Sequence, residues 1–155
     1  NARLNFRQYF GHRLDTRESE IMQIADILGP KGIGVVALLP ETTISGAALL
    51  LSEQSIGVAV VVDMEHGMVG ILSERDITRG LAEFGAEIID MPVEKMMSRG
   101  VVSCDPECTV EDALTLMRDN KIRHLPVIEN GTDLVAMVSI RDLTDAQSEM
   151  LRQAS

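Results

Sequence analysis

Two stretches of this chain, Val69-Gly-Ile-Leu-Ser-Glu-Arg-Asp76 and Val135-Ala-Met-Val-Ser-Ile-Arg-Asp142, read alike at an offset of 66 positions. Each begins as an apolar, β-prone run and turns polar at a serine, where the pattern becomes helical. The likeness extends upstream. Val35 to Thr78 aligns without a gap onto Val101 to Thr144, with about a third of the pairs identical. Val35, Pro40, Ile56, Ser73 and Asp76 thereby fall on Val101, Pro106, Ile122, Ser139 and Asp142. An internal repeat constrains architecture before any single motif is weighed.

Within the repeat, Ile44, Ala47, Ala48 and Leu51 follow i, i+3, i+4, i+7 spacing, as do Val110, Ala113, Leu114 and Met117, so each half carries one amphipathic helix. A β-rich run follows, at Val58 to Val62 or Leu125 to Ile128. Next come turn residues at Glu65-His-Gly67 or Asn130-Gly131, then a second run, Met68 to Leu72 or Leu134 to Val138. Each half therefore predicts strand, helix, strand, strand, helix, an α/β (α+β) unit. Glu20 to Leu28 reads as a short helix stopped by Gly29-Pro30, and Pro92 to Met97 holds the equivalent place before the second half. The expected organisation is an N-terminal arm over 1–19, a first repeat over 20–90 and a second over 91–155. A unit of about 60 residues buries too little surface to be comfortable alone. The two repeats are expected to pack sheet to sheet about a pseudo-twofold axis, with two related clefts at the seam.

The chain has 155 residues, with 14 basic against 24 acidic side chains and a net charge of −10. That balance argues against nucleic-acid and anionic-membrane partners, which need a basic footprint. Arg3, Arg7, Arg13 and Arg17 form the one basic-leaning stretch, and Asp15, Glu18 and Glu20 nearly cancel it. No apolar run approaches the roughly 20 residues of a bilayer span, and no signal-peptide pattern opens the chain, so the expected location is the cytoplasm. Cys104 and Cys108 lack a second ligand pair, and His12, His66 and His124 stand isolated; no metal is expected and the thiols read as reduced. Gly29-Pro-Lys-Gly32 has neither a preceding strand nor Walker spacing, and no nucleophile–base pair stands out, so no enzymatic activity is expected.

The chemistry resides in Ser73-Glu-Arg-Asp76 and Ser139-Ile-Arg-Asp142. Ser-x-x-Asp is also a helix capping box, and Thr109-Val-Glu-Asp112 has that form with no added feature. The Ser-x-Arg-Asp pair differs by recurring at the same strand-to-helix junction with an arginine. A carboxylate there can accept the hydroxyls of a ribose, while a helix N-terminus, a hydroxyl and a guanidinium suit phosphate. Neighbouring helical residues diverge by about 100°, so Arg75 and Asp76 address different directions, and Arg141 and Asp142 likewise. A flat base would lie against Ile71, Val101, Val102 and Ile122, or against Met137, Val35, Val36 and Ile56; as sequence, these are equally core residues. Arg123-His124 opens one strand where Gly57-Val58 opens its counterpart, so the two clefts are not equivalent.

Over Ile21 to Met150 the sequence resembles a tandem pair of cystathionine β-synthase (CBS) domains, the arrangement called a Bateman module. The resemblance rests on the two Val-Val-x-x-x-Pro-Glu openings, on Ile56-Gly-Val and Ile122-Arg-His-Leu-Pro-Val, and on the two stretches quoted first. It implies a regulatory module binding an adenine nucleotide, AMP or ATP foremost, with ADP, NAD(H) and S-adenosylmethionine as alternatives. One site would use Ser73, Asp76, Ile71, Val101, Val102, Ile122 and Arg123, beside His124, with Arg141 reaching toward phosphate. The other would use Ser139, Asp142, Met137, Val35, Val36, Ile56 and Gly57, with Arg75 reaching across. Ala136 in place of the glycine at Gly70, and the absence of a basic residue at Gly57-Val58, depart from the pattern and imply unequal occupancy. The resemblance also implies a homodimer, here a stand-alone sensor acting on a separate protein. A ligand-free dimerisation or protein-interaction module is the alternative.

Overall fold

The computed structural model describes residues 21–28 and 35–153. In chain order the helices are α1 (Ile24–Leu28), α2 (Ile44–Glu53), α3 (Glu74–Phe84), α4 (Val110–Asp119) and α5 (Ile140–Gln153). The strands are β1 (Ala37–Leu38), β2 (Val58–Asp63), β3 (Gly67–Ser73), β4 (His124–Glu129) and β5 (Asp133–Ser139), and short 3₁₀ helices cover Gly85–Asp90 and Val93–Lys95. The expected N-terminal arm and the Gly29-Pro30 stop lie outside the described residues. The helix expected from Glu20 begins at Ile24, and the one expected over Pro92 to Met97 is a single 3₁₀ turn.

Both hairpins form where the β-rich runs and their turn residues place them. β2 pairs antiparallel with β3 from Val58↔Ser73 to Asp63↔Gly67, with a register shift between Val61 and Val62. β4 pairs with β5 from His124↔Ser139 to Glu129↔Asp133, and its shift falls at the equivalent step, between Val127 and Ile128. A bulge conserved between the halves increases the local twist at the same point of each ladder.

The opening strand differs. β1 lies parallel to β2 through Ala37↔Val60 and Leu38↔Val61, whereas the strand expected in the second half reduces to an isolated parallel bridge, Cys104↔Val127. The cause is one residue. In the first half the Val60 amide donates to the Val36 carbonyl at 3.1 Å; its counterpart is Pro126, which has no N–H to give. The bonds that need no donor from Pro126 survive, Cys104 N to Pro126 O at 3.0 Å and Ile128 N to Cys104 O at 2.8 Å.

Contacts divide the described chain into two compact units, residues 35–101 and residues 102–153 joined by 21–28. The first is built on Leu38, Ile44, Leu51, Val61, Leu72 and Val93; the second on Ile24, Leu116, Met117, Leu125, Val138 and Leu143. One docking pattern serves each. Ile44 N donates to Met91 O (2.9 Å), Val93 N to Thr42 O (2.7 Å) and Glu94 N to Pro40 O (3.0 Å). In the second unit Val110 N donates to Met22 O (2.9 Å), Ile24 N to Cys108 O (2.8 Å) and Ala25 N to Pro106 O (2.8 Å). The segment that precedes the first repeat thus completes the second, and the segment that precedes the second completes the first. The division expected at residue 90 follows chain order; the compact units interleave it.

Candidate functional site

Each Ser-x-Arg-Asp element sits where a strand becomes a helix. Ser73 closes β3 with extended backbone and caps α3: its hydroxyl accepts from the Asp76 amide at 3.3 Å, while Asp76 Oδ2 accepts from the Ser73 amide at 2.8 Å. The second copy repeats this box, Asp142 N to Ser139 Oγ at 3.2 Å and Ser139 N to Asp142 Oδ2 at 2.8 Å. The plain cap at Thr109 accepts from Asp112 N at 3.0 Å, so the backbone of all three junctions obeys the same orphan-donor logic.

Beyond the shared box, the two copies part. The Ser73 hydroxyl also donates to Asp76 Oδ2 at 2.9 Å, and Arg79 Nη2 meets Asp76 Oδ1 at 2.6 Å. Asp76 is only 5% exposed, and both its oxygens are engaged. Position 145, the counterpart of Arg79, is an aspartate. Among the described residues, Asp142 Oδ1 accepts nothing and the Ser139 hydroxyl donates to nothing. Asp142 is half-buried and lines a groove of about 640 Å³ with Ile27, Asp145, Ala146, Ser148, Glu149 and Arg152. Arg79 was not singled out in the sequence, although its signal was there: Asp-x-x-Arg in one copy against Asp-x-x-Asp in the other, a spacing that faces side chains together on a helix.

The divergence expected between neighbours is present, with Arg75 exposed beside buried Asp76 and Arg141 exposed beside half-buried Asp142. Ile56 and Ile122 have a structural task. Each is the residue after a left-handed helix end, with Ile56 N donating to Leu51 O (3.0 Å) and Ile122 N to Met117 O (2.9 Å), and each packs on its own core. Gly57 O accepts from the Glu74 amide at 3.0 Å, and Arg123 O accepts from the Ile140 amide at 2.8 Å, which tethers each strand start to its own repeat's helix start. Exposed Arg123 and half-buried His124 therefore stand beside Ser139, with His124 paired to it across the hairpin. Ile71, half-buried in β3, exchanges both backbone bonds with Ser98, and Met137 lies opposite Pro126. Val35 and Val36 are half-buried at the start of the first unit, Val101 is buried at its end, and Val102 packs on the second core. The resemblance distributes these residues across the repeats; the bonds just described are those made inside each.

The departure at Ala136 is a matter of packing. A Cβ on Gly70 would come within 2.7 Å of Met97 Sδ and 2.9 Å of the Ser98 carbonyl, so the passing segment demands glycine. Ala136 is fully buried in the second core, where its methyl is accommodated. Cys104 and Cys108 are free and buried; a hydrogen bond with Cys104 and burial push the Cys108 thiol far up, away from the thiolate that nucleophilic or metal chemistry needs. Among the described residues no cluster of three metal-binding side chains occurs, and no helix is long and apolar enough to cross a membrane.

A chain of two like α+β units, each presenting a capped acid and hydroxyl at its strand-to-helix junction, defines a paired-repeat module. The CBS domain family matches residues 30–83 and 93–149, and the chain belongs to that family. A 17.7 kDa protein from the bps2 3′ region of Acidianus ambivalens is 40% identical over 112 residues, 72% of this chain and 66% of that protein, so the chain spans about two thirds of that relative. The crystal structure of the CBS-domain containing protein ATU1752 from Agrobacterium tumefaciens superposes with a TM-score of 0.77 at 34% identity, covering 81% of this chain and 99% of that one. The CBS domain pair of protein MJ0100, crystallised with 5′-methylthioadenosine and S-adenosyl-L-methionine, shares the fold at a TM-score of 0.72 and 23% identity, covering 83% and 98%.

Proposed function

We propose that this chain is a regulatory module that binds an adenosine-containing ligand at a Ser-x-Arg-Asp junction and passes its occupancy to the protein it regulates. The observation that carries the reading is the recurrence of one acid and one hydroxyl at both strand-to-helix junctions, in a member of a family with a fold neighbour holding adenosine derivatives. The carboxylate is the group for a ribose diol, and the helix start with its serine is the group for a 5′ phosphate. AMP and ATP are the first ligands to test, NAD(H) and S-adenosylmethionine the next, with a homodimer as the working assembly.

The test is thermal. A ligand at a hundred times its Kd stabilises by about 2.7 kcal/mol, roughly 5–10 °C for a chain of this size. Millimolar AMP, ATP, NADH and S-adenosylmethionine are each added to the purified chain, and a rise with at least one is expected. Four unchanged melting temperatures sink the proposal. The alternative, a ligand-free interaction module, is favoured by one observation: in the first repeat every polar atom of Asp76 is already bonded within the molecule.

A further inference from the structure

We infer that Arg79 closes the first repeat to ribose, so that an adenosine ligand is held by Asp142 and not by Asp76. This deepens the function proposed above and rests on it.

A ribose diol needs a carboxylate with lone pairs to spare. Asp76 has both oxygens committed, Oδ2 to the Ser73 amide and hydroxyl and Oδ1 to the Arg79 guanidinium at 2.6 Å, and its carboxylate is withdrawn from water. A diol would have to displace the guanidinium, exchanging a bond in which both partners are charged for one in which only the carboxylate is, and so giving up the attraction between opposite charges. The Ser73 hydroxyl hydrogen is spent on the same carboxylate, so it does not reach a phosphate either. In the second repeat the box uses only Oδ2 of Asp142, and the Ser139 hydroxyl hydrogen has no acceptor among the described residues. Asp145, standing where the first repeat has Arg79, cannot lock that carboxylate, and Asp142 opens onto a groove of about 640 Å³ that Arg152 also lines. One residue difference, Arg79 against Asp145, thus converts a symmetric duplication into one receptive and one closed junction.

Isothermal titration of AMP and, separately, 5′-methylthioadenosine decides it; both carry the ribose diol, and they differ in charge at the 5′ position. The unaltered chain is expected to take one equivalent. Asp142→Asn keeps an oxygen for the cap and should weaken binding by about tenfold or more, while Asp76→Asn leaves affinity unchanged. Arg79→Ala frees Asp76 Oδ1 and should raise the stoichiometry to two. Circular dichroism accompanies each variant, and the two aspartate variants alone remain decisive should Arg79→Ala not fold. Two equivalents on the unaltered chain, or affinity lost with Asp76→Asn and kept with Asp142→Asn, overturns the inference. An Arg79→Ala chain that folds and still takes one equivalent overturns the role of Arg79. No binding by any chain, Arg79→Ala included, removes the function itself and the inference with it.

Discussion

At the two central helix ends, Ser55 and Lys121 occupy left-handed backbone at φ 53° and 54°. Each closes the helix by two bonds, for Lys121 its own amide to Arg118 O at 3.2 Å and the Ile122 amide to Met117 O at 2.9 Å. That ending suits glycine, because a Cβ in the left-handed region costs about 1–2 kcal/mol. Lys121→Gly is therefore expected to stabilise the fold by about 0.5–1 kcal/mol after the extra freedom of glycine in the unfolded chain is deducted. Urea melts of the two chains measure it; a loss of stability would show that the lysine side chain contributes more than its backbone costs. At the first hairpin turn the Asp63 carboxylate accepts from the His66 ring at 2.8 Å and from the Glu65 and His66 amides, each at 2.9 Å. These bonds, the His66 ring first, hold its pKa below the ordinary carboxylate value. A depressed folded-state pKa stabilises above the unfolded pKa, and that stability is lost as pH falls through the folded value. The Glu65 and His66 amide shifts should therefore report an Asp63 step whose midpoint lies below the ordinary carboxylate value. A midpoint at or above the ordinary value contradicts the turn geometry. The Asp76 and Asp142 caps were legible at this scale because a capping box is local. The Arg79 contact was legible only as a permitted spacing, Asp-x-x-Arg; that the guanidinium closes on the acid is decided by the folded helix.

Among the elements, both hairpins and both amphipathic helices were readable from spacing, because strand and helix periodicities differ and the turns carry their own residues. Buried Ile44, Ala47 and Leu51 match the expected stripe; in the second copy Leu116 is fully buried where Leu114 is only half so. The missing opening strand of the second half was equally written in the chain, as Pro126, but its consequence depends on which strand lies alongside. Pro126→Val restores an amide that can donate to Val102 O as Val60 donates to Val36 O. A hydrogen bond worth about 0.5–1.5 kcal/mol is gained, against about 0.4–1 kcal/mol lost with the entropy advantage of proline, so the net change in stability is small. The informative readout is hydrogen exchange: the new amide at 126 should be protected like a ladder amide. Rapid exchange there means the parallel pairing does not extend.

For the molecule as a whole, the interleaved docking of 22–25 and 91–94 assigns Ile24, wholly buried, to the core of the second unit. Ile24→Ala should cost about 2–4 kcal/mol, and the loss should fall on residues 102–153. Amide exchange resolves the two units; equal loosening of residues 35–101 would refute separate cores. What the sequence determined by itself is the duplication, the order of elements inside each copy and the capped acids, all of which follow from short-range periodicity and local donor counting. What only the tertiary structure decided is which copy each preceding segment completes and which carboxylate keeps an oxygen free. Those depend on burial and on contacts between residues distant along the chain or competing for one partner, where many pairings satisfy the local pattern and packing selects one.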